Sequence, residues 1–319
     1  MYYTEKKYLA TALDPVHIGA GGQRLGRVDM TVVREPATKV PYIPGTSLSG
    51  ALKFFADFSL RDAGIKNGIC AAGEGVKNDK DGHDQEKCPV CVAFGYTPPD
   101  DKGNASAQGL LQFSDALLLA SPVNTITGPV WLTTPLRLQE ILGLGDGRDD
   151  GAETFSLPAG TTVSLDPALK NRLNLGWVLL SQGDNASISV EAIVKAGIPQ
   201  KYARRFTIVS EWLFSQLVND NMEVRTSVVI EPETGAAKDG GLFTYEAVPR
   251  GALFCFNITE HDYYSRWKHT QWNSGAENAA NATEMMENFG FPGIKIIGLG
   301  GMTTRGFGCL DIIQIPAKA

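Results

Sequence analysis

Residues 26–53, GRVDMTVVREPATKVPYIPGTSLSGALK, constrain this chain more than any other stretch. The β-branched and alternating residues of DMTVVRE (29–35) predict a short strand. The Pro and Gly residues that follow predict a turn, and TSLSGALKFFADFSLRDAG predicts a helix capped by Thr46 or Ser47. Leu48, Leu52, Phe55 and Leu60 recur at helical spacing and mark its buried stripe. A helix start rich in Ser and Gly gathers backbone N–H donors with room for a phosphate. Arg34 and Lys53 add positive charge near it, and Asp29 puts a carboxylate at the start of the strand. The pattern suits a scaffold that holds a nucleic-acid backbone beside an acid able to help cut it.

The chain has 319 residues, 43% hydrophobic and 20% charged, enough to bury a core as one large domain or two small ones. No window approaches 18 uninterrupted apolar residues, and MYYTEKKYLATALDPVHIG lacks a signal-peptide core. The expectation is a cytoplasmic protein with no membrane partner. The net charge of −6 argues against a general polyanion binder. The charge is uneven, however. Residues 1–54 carry seven Lys/Arg against four Asp/Glu, and residues 55–155 carry eight against fifteen. Any nucleic acid is therefore held by placed contacts and not by a basic tail.

KYLATAL (7–13) reads as a strand, and 109–123 returns to strand pattern after a polar stretch at 64–108. WLTTPLRLQEILGLG reads as a strand or turn before a short helix, with a loop at 143–160. Segments near 161–180 and 186–195 read as further short strands. ARRFTIVSEWLFSQLVND holds a strand and a helix beginning at Ser210. Residues 223–248 form a long hairpin candidate with a polar tip. ALFCFNITEH reads as a strand, NATEMMENFG as a helix from Ser274 onward, and GIKIIGLGGMTTRGFGCLDIIQI as strand, Gly-rich turn and strand. Strands with few, separated helices predict an α+β sheet with helices on one face.

Five cysteines without a secretion signal disfavour a disulfide framework. Cys255 and Cys309 read as small core residues. Cys70, His83, Cys88 and Cys91 form a C-x12-H-x4-C-x2-C set inside the polar 64–108 insertion, which is too poor in apolar residues to fold alone. A structural Zn2+ would supply the missing stability. The alternatives are an accidental cluster or a redox pair at Cys88 and Cys91. Four ligands would leave no open position for catalysis at the zinc.

GLGGMTTRGFG (298–308) joins two apolar segments. Its glycines allow close backbone approach and an anion nest, Arg305 offers a fork for phosphate, and Phe307 a ring for a base. It lacks the Gly-Lys-Ser/Thr of a phosphate-binding P-loop. A purely structural glycine-rich hairpin is the plain alternative. Asp29 could orient a 2′-hydroxyl or hold a divalent metal, and His17 lies upstream beside Gly19-Ala-Gly-Gly. Taken alone, a lone Asp at a strand start is more often a solvated cap, and such a His is more often structural than catalytic.

In this order, HIGAGG, GRVDMTVVRE, PYIPGTSLSGALK, LLQFSDALLLASPV, WLTTPLRL, the 223–248 hairpin and GLGGMTTRGFGCL resemble the RAMP superfamily of CRISPR systems. Within it they are most similar to the backbone subunit of type III effector complexes, of the Cmr type that cleaves target RNA. DMTVVRE replaces the more usual Cmr-type DLPIQRE, and the insertion with CPVCVAFG is more similar to the Csm-type subunit. The resemblance implies a single RAMP domain over 1–319 with a modified ferredoxin-like (RRM-like) fold. Residues 223–248 would be a thumb that kinks the guide–target duplex against the next subunit. It implies a filament of identical subunits on a guide crRNA, with other type III effector subunits including the large Cas-ten-type subunit. Carried over by position, Asp29 matches the catalytic aspartate of a cleavage dependent on Mg2+ or Mn2+, in which a target 2′-hydroxyl attacks the adjacent phosphate. The segment with Ser47, Ser49 and Lys53, and the loop with Gly301, Thr303, Thr304, Arg305 and Phe307, match guide-RNA contacts. His17 and Arg34 join them as RNA-binding candidates. A subunit that holds guide RNA without cutting, and a zinc enzyme acting on small molecules, are the competing readings.

Overall fold

The computed structural model describes residues 3–21, 28–62, 64, 70, 84–96, 106–270 and 279–316. Its centre is β1 (Tyr3–Ala12), flanked on one side by β13 (Leu310–Ile315) and on the other by β12 (Leu253–His261), both antiparallel to it. Beyond β12 come β4 (Ala116–Val123), β5 (Val130–Thr133) and β9 (Phe206–Ile208), the last parallel to β5. The short β2 (Tyr42–Ile43) pairs with β4, and β3 (Leu111–Phe113) with β12.

One face of this sheet carries α1 (Gly45–Asp62), α7 (Ala282–Phe289) and α8 (Phe291–Ile296). Leu48, Leu52, Phe55 and Leu60 of α1 are buried there as their spacing requires. Gly293 has a steric reason: a Cβ on it would lie 2.3 Å from the Phe55 ring, so only glycine lets α8 approach α1 this closely. The opposite face is also covered, by α3 (Pro135–Leu142), α4 (Val190–Lys195) and α5 (Gln200–Ala203). The expectation of helices on one face is thereby corrected. Tyr8-Leu9-Ala10 and Phe254-Cys255-Phe256 are unbroken apolar runs whose adjacent residues point to opposite faces, so both faces need cover. Tyr8 and Phe254 join the core under α1, whereas Leu9 and Cys255 join the one under α3 and α4.

Several local expectations change with tertiary context. Residues 186–195 hold α4 and not a strand, because the Ser189 hydroxyl accepts from Ala192 N–H and Val190 and Ile193 are buried one turn apart. GIKIIG holds the end of α8: Pro292 sits in its first turn, Ile294 is buried, and Ile296 and Ile297 face out. α7 starts at Ala282, capped by Asn281, whose side chain accepts from Glu284 N–H; Ser274 lies outside the described residues. Residues 29–35 form no strand ladder. They make isolated bridges, Val32 to Gly19, Met30 to Tyr245 and Arg34 to Pro41.

A small sheet of β6 (Thr154–Phe155), β8 (Val178–Gln182) and β7 (Arg172–Leu175) stands apart from the main one. α6 (Glu211–Asp220) starts one residue after Ser210, close to the expected start, with Glu211 N–H donating to the Asp149 carboxylate, and leads into the hairpin of β10 (Glu223–Ile230) and β11 (Ala237–Ala247). The arms pair only with each other as a ladder, and their outer residues Val228, Val229, Ile230 and Leu242 are exposed. α2 (Pro89–Phe94) packs its Val90, Val92 and Ala93 into the main core. No helix among the described residues is long and apolar enough to cross a membrane.

Candidate nucleic-acid interface and metal centre

The root of the hairpin gathers most of the residues singled out above. Asp29 and Met30 meet the edge of β11 that β10 leaves open: Met30 N–H donates to Thr244 O at 3.1 Å, and Glu246 N–H to Met30 O at 3.1 Å. Asp29 is exposed, and its carboxylate is clamped by Thr244. Thr244 N–H reaches Asp29 Oδ2 at 2.7 Å, and the Thr244 hydroxyl reaches the same oxygen at 3.1 Å. The Asp29 N–H donates back to Thr244 Oγ1 at 3.1 Å.

Two residues further on, Glu246 organises a buried network. Arg34 meets it with both guanidinium nitrogens, at 2.5 and 2.9 Å, and reaches Asn219 Oδ1 at 2.7 Å. Glu246 Oε1 also accepts Val32 N–H at 2.8 Å. The His17 ring, 4% exposed, has Nδ1 2.6 Å from Glu246 O, so that nitrogen carries the proton and donates. In this structure both expected RNA-binding side chains are engaged within the protein: Arg34 ties the 28–35 segment to Glu246 of β11, and His17 ties its own stretch of chain to the β11 backbone. Replacing Glu246 by Ala leaves the guanidinium without its carboxylate, 12% exposed as a side chain. The expected cost is about 3–5 kcal/mol, read by denaturant unfolding. The double replacement Arg34→Met with Glu246→Leu should recover only part of it, because the buried Val32 N–H stays without its acceptor.

Alternate residues of β11 face the other way and meet the glycine-rich loop. Tyr245 packs its ring on Phe307 at 5.4 Å, the Arg225 guanidinium lies 4.6 Å over the Phe307 ring, and Arg305 lies 5.7 Å from the Phe243 ring. Phe307, expected to stack on a base, is fully buried in this structure, where its ring supports the loop. Arg305 and Thr304 are exposed, and Gly301 and Thr303 half-buried. The loop crosses directly over His17: Gly301 N–H donates to His17 O at 2.9 Å, and a Cβ on Gly300 would lie 2.5 Å from that oxygen. Arg225, Phe243, Thr244, Tyr245 and Glu246 escaped the sequence reading. The alternation of Phe243-Thr244-Tyr245-Glu246 was visible, but not which face met which loop.

The start of α1 is less open than its Ser/Gly content suggests. The cap is neither Thr46 nor Ser47, because the helix begins at Gly45 and Ser47 and Leu48 N–H both donate to Pro44 O. The Asp115 carboxylate accepts Gly45 N–H at 2.7 Å, so one donor of the phosphate cradle is already taken by an anion. Ser47, Ser49 and Lys53 are half-buried, and Lys53 Nζ reaches Gly95 O, just past α2, at 3.3 Å. Lys53 therefore reaches toward α2 and the cysteines and not toward Asp29.

Cys88 caps α2 and Cys91 follows one turn later, so both sulfurs lie on one side of the helix. Cys70 joins them, with its Sγ 3.2 Å from Cys88 Sγ and 3.5 Å from Cys91 Sγ, and its N–H directed to Asp57 of α1 at 3.3 Å. All three sulfurs lie within 4.8 Å of one another and could hold a metal ion. Tetrahedral zinc with bonds of about 2.3 Å would set sulfurs roughly 3.8 Å apart, which this triad fits. Hydrogen bonding to Cys70 and Cys88, together with burial, pushes the Cys91 thiol up, so a cation is what would keep these sulfurs as thiolates. His83, the expected fourth ligand, lies outside the described residues.

The chain and its fold have known counterparts. The chain matches the RAMP superfamily over residues 9–311 and belongs to that family. It is 29% identical over 254 residues to the CRISPR system Cmr endoribonuclease Cmr4 of Pyrococcus furiosus, spanning 76% of this chain and 77% of that protein. Its fold overlays on a chain of the cryo-EM structure of type III-B Cmr-beta bound to cognate target RNA with a TM-score of 0.62 at 16% identity, covering 98% of each. It also overlays on the crystal structure of oligomeric Cmr4 from Pyrococcus furiosus with a TM-score of 0.55 at 18% identity, covering 99% of this chain and all of that one.

Proposed function

We propose that this chain is a Cmr4-like backbone subunit of a type III CRISPR effector complex, which binds guide crRNA in a row of like subunits and cleaves the complementary target RNA. The observation that carries the reading is the exposed Asp29 carboxylate, fixed at the root of a hairpin in a chain related to an endoribonuclease over three quarters of its length. The sheet order β13-β1-β12-β4, with α1 following β1 and α7–α8 following β12, supports a ferredoxin-like core. The hairpin then acts as the thumb, its exposed apolar residues covered by the neighbouring subunit and the displaced nucleotides.

In this reading, Asp29 orients the target 2′-hydroxyl. The oxygen attacks the adjacent phosphorus, the P–O5′ bond breaks, and the products carry a 2′,3′-cyclic phosphate and a 5′-hydroxyl. A divalent Mg2+ or Mn2+ would be held by Asp29 together with the substrate phosphate, and would supply charge neutralisation there. Arg305 and Thr304 contact the guide backbone, as do Ser47, Ser49 and Lys53 from α1. The Cys70, Cys88 and Cys91 sulfurs hold a structural zinc with His83 as fourth ligand.

Nucleic-acid extraction from the purified protein tests the class. A protected small RNA of defined length, released only on denaturation, is the expected result. Protein that carries no RNA and fails to bind a guide-length RNA would sink the reading. The net charge of −6 implies that each subunit makes few phosphate contacts, so the salt dependence should grow with filament length.

A further inference from the structure

We propose that Thr244 is the positioning residue for Asp29, so that cleavage depends on how β11 is seated. This rests on reading Asp29 as the cleavage acid. Both Thr244 donors end on the same carboxylate oxygen, the N–H at 2.7 Å and the hydroxyl at 3.1 Å. Two donors on Oδ2 fix the plane of the carboxylate and leave Oδ1 for the reacting group. The return bond from Asp29 N–H to the Thr244 hydroxyl fixes the backbone that bears the acid. The hydroxyl thus works in both directions, accepting from the main chain of Asp29 while donating to its side chain.

The surroundings make this clamp matter. Asp29 sits on a segment that joins no sheet ladder; Met30 beside it also bonds β11, and from Thr31 onward the chain is tied to residues 18–20 as well. The bonds nearest the acid therefore come from the hairpin, 215 residues away in sequence. A hairpin strand displaced by a neighbouring subunit or by RNA would carry the carboxylate with it. Misplacing a reacting group by about 1 Å can cost roughly 100-fold in rate.

The test uses the assembled complex with guide and a labelled target RNA. Thr244→Val keeps the shape and the β-branching but removes the hydroxyl, and Thr244→Ser restores it. We expect Thr244→Val to slow single-turnover cleavage by roughly 10- to 100-fold with target affinity and melting temperature unchanged. Thr244→Ser should cleave at close to the unsubstituted rate. Full-rate cleavage by Thr244→Val overturns the proposal. So does equal slowing in Thr244→Ser, or a loss of target affinity matching the loss of rate, since either would mark a packing effect. Asp29→Ala is run alongside: if it still cleaves, the assignment of the acid fails and the positioning role with it. If it is dead while Thr244→Val is fully active, only the positioning role fails.

Discussion

Asp29→Ala will leave assembly and guide binding intact and stop target cleavage, with a loss of roughly 100- to 10,000-fold expected for removal of a positioned acid–base group. Assembly should survive because the Asp29 side chain holds little of the fold together. It is exposed, and its backbone segment stays anchored through Met30 to β11 and through Arg34 to Glu246. Single-turnover assays on a radiolabelled target, with native gels for assembly, separate the two effects. Cleavage persisting at the same sites would refute the role of Asp29 and favour a subunit that only holds the guide. Product ends offer an independent check, because attack by the 2′-hydroxyl leaves a cyclic phosphate that ligases cannot join until it is opened.

Loss of the metal centre is the second large effect. Cys88→Ser should lower the zinc content of the purified protein from about one per chain to near none and open the region around α2. Zinc in small cysteine–histidine sites contributes an apparent ~10–16 kcal/mol to folding. The damage here should be confined, because Val90, Val92 and Ala93 keep hydrophobic anchors in the main core. Amide exchange should therefore rise in α2 and around Asp57 of α1, which binds the Cys70 backbone, while β1 and β12 stay protected. His83→Ala should behave like Cys88→Ser. Metal analysis finding no zinc in freshly purified protein, with Cys88→Ser as stable as the parent, would refute a structural metal. Turnover of a small substrate that disappears on chelation while folding is retained would instead favour a zinc enzyme.

Much of the fold was legible where the signal is local. The stripe on α1, the start of α6 near Ser210, the two arms of the hairpin and the Cys-x2-Cys knuckle follow from spacing within a dozen residues or so. The errors have physical causes of their own. α4 and the end of α8 contain β-branched residues that read as strands, but a Ser cap and a first-turn Pro decided for helix. Helices were expected on one face only, because apolar runs such as that of β4 do not announce which elements will cover their second face.

The candidate site was legible as a set of residues and not as an arrangement. Sequence order alone carried the family relationship, the acid at 29, the glycine-rich loop and the clustered sulfurs, since each is a matter of residue type at fixed spacing. The tertiary structure decided their duties. It put Arg34 and His17 into a buried network, closed Phe307 under Tyr245 and Arg225, and gave one donor of the α1 start to Asp115. It also divided the stretch 26–53, sending Asp29 to the hairpin and Lys53 to the knuckle. The physical reason is distance along the chain: Thr244 and Glu246 lie more than 200 residues from Asp29 and Arg34, the groups they hold, and no local periodicity carries information about a partner that far away.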